Sequence, residues 1–258
     1  MVLQRVGTFI RYTGQGIILS LALMTNVFAM DNALLKATIE MDRQYIPALI
    51  YTQMGDQDAA QEAMMSFSTE WTYFATTFAV NSDDPEWQYF VDIASGMVSS
   101  AFVDVLEGNL DSGYQNLKAV STTMHGLRER NGINYYVDAL NAYKPFMDAL
   151  ITTADNKGGK LFTKAQIKIL QKNWAQVWPR WEAIRHHVSQ AKFDQELFGF
   201  NDGQFVELKK AVAQEQLALN KLRRALRVGS HNEMARAAIG LEAGFMRTYR
   251  AFGDMPHE

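Results

Sequence analysis

The sequence predicts an all-α protein built as two tandem up-down four-helix bundles related by internal duplication. Three observations predict it. A stretch that runs from a Gly into an apolar stripe recurs along the chain. Matching aromatic and Pro positions appear in both halves. The predicted helices are about 20 residues long, near 30 Å each at the α-helical rise.

The recurring stretch begins at Gly55, with Met64, Phe67, Trp71, Phe74 and Phe78 behind it. Gly108 leads to Leu117, Val120, Met124 and Leu127, and Gly229 leads to Ala238, Leu241, Phe245, Thr248 and Phe252. A fourth copy keeps only the stripe: Ile167, Leu170, Trp174, Val177 and Trp181. Steps of three and four residues place each set along one helix face. Gly closes the preceding helix, and Asp58, Asp111 or Asn232 three residues later is the expected cap of the next. The unit is a helical hairpin. An α-solenoid of stacked hairpins is the alternative, but the 53-residue step from Gly55 to Gly108 exceeds the usual repeat periods.

Residues 1–29 read as an export signal. Arg5 and Arg11 form a positive start, Gly16 to Met24 is an apolar run, and Val27-Phe28-Ala29 offers small residues for cleavage. The run falls short of the ~20 residues that span a bilayer, which favours cleavage over anchoring. The expected location is periplasmic or otherwise secreted, with no stable membrane insertion after cleavage. The chain has no Cys, so packing alone must stabilise it.

Residues 30–132 form the first predicted bundle. Helix 1 covers about 33–54 and contains Pro47; helix 2 covers about 59–80, with Asp58 and Gln61 in capping-box spacing. Helix 3 covers about 86–107 on a stripe of Trp87, Val91, Ala94, Val98, Ala101 and Val105. Helix 4 covers about 112–130 and ends at Asn131-Gly132. Residues 133–258 repeat the plan. Helix 5, about 134–154, carries Asp138, Tyr143 and Pro145 at the spacing of Glu40, Tyr45 and Pro47 in helix 1. Helix 6 starts after the cap Thr163, contains Pro179 and extends to about Leu197. Helix 7 covers about 204–228 and helix 8 about 233–252. Trp71 matches Trp174 at an offset of 103 residues, against 98 for the Pro pair, and the longer loop at 155–160 accounts for the difference.

No sequence motif points to catalysis: there is no Gly-rich phosphate loop, HExxH, GxSxG or EF-hand loop. Net charge is -3, and -5 without the first 29 residues, which argues against nucleic acid as the main partner. The candidate ligand-binding residues are Glu215, His187, Trp174 and Trp178. Glu215 interrupts the helix 7 stripe of Leu208, Val212, Leu219, Leu222 and Leu226, where a carboxylate is costly unless answered. Arg185, Arg247 or a His could answer it. The candidate metal ligands are His186, His187, Glu182 and Glu215, because His is the commonest metal ligand and Glu182 lies one turn before His186. Trp174, Trp178 and Trp181 read more readily as core than as a ligand platform, and the 13 Met as core filler more than as copper ligands. Glu40 and Asp138 are expected to face water.

The last helix after Gly229 loosely resembles that of small exported four-helix cytochromes, which bind haem through a His on that helix. Here His231 lies at its start and His257 beyond its end, and CxxCH is absent. Membership is not implied. The function expected is an exported binding or interaction protein without catalysis, its protein partner or small ligand unknown. A carrier of copper, iron or non-covalent haem in the second bundle is the alternative.

Overall fold

The computed structural model describes residues 16–79, 84–155, 161–189 and 194–255, with side chains from Ala33 onward. All regular structure among them is helical: α1 (Gly16–Met54), α2 (Gln57–Thr77), α3 (Trp87–Leu106), α4 (Leu110–Arg130), α5 (Tyr136–Ala154), α6 (Lys164–Ser189), α7 (Asp202–Val228), α8 (His231–Ile239) and α9 (Leu241–Arg250). Residues 1–15 of the expected export signal lie outside the described residues. The backbone of 16–29 is helical and continuous with the rest of α1.

The hairpin turns form where the glycines stand. Gly55, Gly108 and Gly229 have φ of 75°, 81° and 80°, a left-handed conformation that costs Gly nothing and other residues dearly. The caps stand closer to the glycines than expected. The cap residues are Asp56, Asn109 and Ser230, each directly after its Gly. Of these, Asp56 bonds the backbone N–H of Ala59 through its side chain. Asp58 and Asp111 fall in the first turn instead, where a negative charge still suits the helix dipole. Gln61 does not complete a box with Asp58; its amide reaches the Leu106 carbonyl at 3.1 Å and ties α2 to α3. Thr163 and Gln166 do form the expected reciprocal pair, as do Asn201 and Gln204. The helix expected over 233–252 is interrupted at Gly240, which divides it into α8 and α9. Helix α6 is described to Ser189; 190–193 lie outside the described residues, and 195–199 form a turn rather than helix.

Each half closes on itself. α1 packs on α2 and α4, and α3 packs on α2 and α4. In the second half α6 packs on α5 and α7, while α8 and α9 together fill the fourth place between α7 and α5. The buried stripes supply the contact: Met64, Phe67, Trp71 and Phe74 on α2, and Val91, Ala94, Val98, Ala101 and Val105 on α3. By length and composition α3 could cross a membrane, but that stripe is buried in the bundle. Met64, Met124 and Met147 are likewise core residues. One continuous apolar core runs through both halves. Where the halves meet, Asp254 N–H donates to the Arg43 carbonyl at 2.8 Å, and Arg43 donates to the Phe198 carbonyl.

Candidate functional site

Glu215 lies where the stripe of α7 places it, with no exposed surface. What answers it is neither an Arg nor a His. The Tyr143 hydroxyl on α5 donates to Oε1, while Oε2, packed against the α9 backbone, has no hydrogen-bond partner among the described residues. Arg185 is taken by Glu182, and Arg247 by Gln214 and Glu207. Burial pushes the Glu215 carboxyl up to about 8, and Tyr143 and the nearby Phe245 backbone only partly oppose it, so the group is mostly protonated at neutral pH. A neutral acid costs far less to bury than a carboxylate. Trp181 and Phe245 pack on Tyr143, with ring centroids at 4.9 and 5.8 Å. The surroundings of Glu215 are closed core, and the residue pins α5, α7 and α9 together.

The other candidates are dispersed. His187 is half-buried, with its ring 5.3 Å from that of Tyr136, and His186 is exposed. Glu182 and Arg185 form an ion pair at 2.7 Å. Among the described residues no three His, Cys, Asp or Glu side chains gather as a metal cage requires. Trp174 and Trp178 do stack, half-buried, at 5.2 Å, and the Arg223 guanidinium lies within 6 Å of both rings at 5.9 and 5.8 Å. The Trp174 N–H donates to the Leu219 carbonyl, which fixes the pair against α7.

Two features escaped sequence reasoning. The first is a buried polar cluster where the halves meet. Arg128 on α4 grips Asp138 on α5 through two bonds, Nε to Oδ2 at 2.8 Å and Nη2 to Oδ1 at 2.5 Å. Asp42 on α1 accepts from Tyr135, and its carboxyl is pushed up to about 6 by burial, against the pull of Arg128. Asp138 was expected to face water, yet it is buried; Glu40 is exposed as expected and bonds Arg43. Asp42 was legible, because it falls on the stripe of Ile39, Ile46 and Leu49.

The second is a separation of charge. Residues 30–132 hold 5 Lys and Arg against 15 Asp and Glu, whereas 133–258 hold 18 against 13. No Lys or Arg occurs anywhere in 44–117, while 221–227 reads KLRRALR. Five of the basic residues border an open groove of about 760 Å³ between α7 and α8–α9. Its floor is apolar, with Ala213, Leu217, Ala218 and Ala237. Lys210, Lys221, Arg224, Arg236 and Arg247 surround it, with Glu233 the single acid among the described lining residues. Lys210 and Arg247 share Glu207 just outside. Leu217 keeps 61% of its surface exposed on this floor. This arrangement can hold an anionic, partly apolar surface. Comparison of the chain with protein-family models, with curated proteins and with solved structures gave no match.

Proposed function

We propose that the protein is an exported, non-catalytic binding protein. Its working surface is the groove between α7 and α8–α9, and its partner is an acidic amphipathic helix of another protein. The observation that carries this reading is an apolar floor set among five cations and one acid. Charge complementarity speeds encounter, and burial of the floor supplies affinity. From Lys210 to Arg224 the groove follows α7 for about 21 Å, the length of a helix of roughly 14 residues. A ligand helix laid there would bury its apolar face on Leu217 and Ala218 and present acids to both rims. Export is supported by Arg5, Arg11 and the apolar run that follows.

The test is a titration of a fluorescent synthetic peptide of about 14 residues, with Leu at helical spacing on one face and Glu on the other. Expected is binding that weakens with added salt and falls at least tenfold in Arg224→Glu/Arg236→Glu. Equal binding of a scrambled peptide of the same composition, or of anionic vesicles, rejects the reading. For export, the mass of the protein recovered from the producing cell should correspond to a chain beginning near Met30. A full-length mass excludes cleavage.

A further inference from the structure

Two outer faces of the molecule carry opposite charge that the chain itself leaves unanswered. In the first ring α1 and α4 take the side toward the second half, so α2 and α3 form the outer pair. In the second ring α5 and α9 take the junction side, and α6 and α7 are the outer pair.

The α2–α3 face is acidic. Asp58, Glu62 and Asp92 are exposed and Glu70 half-buried, and no Lys or Arg occurs in 44–117 to answer them. Met65, Tyr73, Tyr89 and Val103 on the same two helices each keep more than half of their surface exposed. The α6–α7 face is the complement. Lys164, Lys168, Lys172, Arg223 and Arg227 are exposed, and no Asp or Glu occurs in 156–181 or in 216–232. The helices run antiparallel, Trp174 meeting Leu219 and Trp181 meeting Val212, so these two acid-free stretches lie side by side. Ile169 is exposed there, and the stacked Trp174 and Trp178 lie beside Arg223. Arg43, Arg130, Lys144 and Arg185 each find a carboxylate within the chain. None of the five cations on α6–α7, and none of the four acids on α2–α3, has an ion pair among the described residues.

We infer that the α2–α3 face of one copy docks on the α6–α7 face of a second copy, head to tail. The two faces lie on opposite sides of one molecule and cannot meet within it. Two helices side by side present about 20 by 30 Å, so the contact covers about 1,200 Å² in total, at the low end for specific interfaces. It is therefore weak and reversible, with Met, Tyr and Trp side chains packed among the ion pairs. Pairing of like faces is disfavoured, because it sets acid on acid or base on base. Since the two surfaces differ, each added copy leaves one face of either sign free, and assembly extends as a chain or closes as a ring. This contact does not rest on the groove between α7 and α8–α9.

The experiment is sedimentation velocity of the protein recovered from the producing cell, at up to about 200 μM, with salt raised from about 50 mM to about 500 mM. Expected is a mean mass above that of the monomer at low salt, rising with protein concentration and returning to the monomer at high salt. Glu62→Lys/Asp92→Lys and Lys168→Glu/Arg223→Glu change only exposed residues outside the groove lining. Each should weaken association at least tenfold. An equimolar mixture of the two variants should restore it, because the intact basic face of the first meets the intact acidic face of the second. That restoration separates lost complementarity from damaged folding. A wild type that stays monomeric, association that salt does not weaken, variants that associate like the wild type, or a mixture that stays monomeric each overturns the inference.

Discussion

Glu215 carries its proton because the fold withholds water from it, and this makes stability depend on pH. Its folded value of about 8 lies above the ordinary 4.5. A carboxyl raised in this way favours the folded state fully below pH 4.5 and loses that contribution as pH rises through about 8. Asp42 is raised too, but only to about 6, so its share is largely spent by pH 7. From pH 7 to pH 9 the wild type should therefore lose on the order of 1 kcal/mol through Glu215. Glu215→Gln still accepts from Tyr143 and cannot ionise, so it should lose much less. Urea unfolding at the two pH values measures this, and equal losses would show that Glu215 does not titrate in that range. The acid was visible in the sequence because it breaks a stripe of Leu and Val. Its partner was not, because a Tyr on a stripe reads as aromatic core and its hydroxyl has no periodicity of its own. Arg128 was hidden for a similar reason: basic residues in a last turn usually meet solvent and the helix dipole, and only the fold brings Asp138 to it.

Helix pairs here approach as closely as their smallest residues allow. Gly244 on α9 lies on the backbone of α7, and a Cβ there would come within 2.7 Å of the Glu215 nitrogen. Neither backbone can swing away as a side-chain end could. Gly126 on α4 has nothing within 4 Å of the same position. The two glycines should therefore respond oppositely to Ala. Gly126→Ala should stabilise by about 0.5–1 kcal/mol through helix propensity. Gly244→Ala should destabilise by about 1–3 kcal/mol through overpacking. Denaturant unfolding of both variants checks the pair; stabilisation by Gly244→Ala would mean that α7 and α9 are not in that contact. Helix number and type were largely legible, since stripes and left-handed glycines are strong local signals. The caps were misplaced by two residues because a cap is chosen by where the turn releases the chain. A polar side chain of the preferred kind a few residues later does not move that point.

At the scale of the molecule, two four-helix rings share one core and are tied by polar contacts at their junction. The common plan fits duplication without requiring it. The Trp71 N–H donates to Ser95 on α3 and the Trp174 N–H to Leu219 on α7, each to the third helix of its own half. Tyr45 and Tyr143 are both buried, yet one meets a carbonyl and the other a carboxyl. The groove was not legible, because it takes its lining from separate helices. The charge split was legible from counting alone, but a net charge taken over the whole chain conceals it.

That split has a consequence for how the molecule behaves at a distance. A pI near 6.0 describes a particle that should be electrostatically quiet close to neutrality. This chain has instead a permanent dipole moment, with an acidic pole at one half and a basic pole at the other. An external field turns such a body before any contact is made. The torque persists over about 10 Å in 0.1 M salt and shrinks to about 3 Å at 1 M. Approaching surfaces of either sign are thus met by opposite ends of the same protein, and ionic strength sets how far away that choice of end is made.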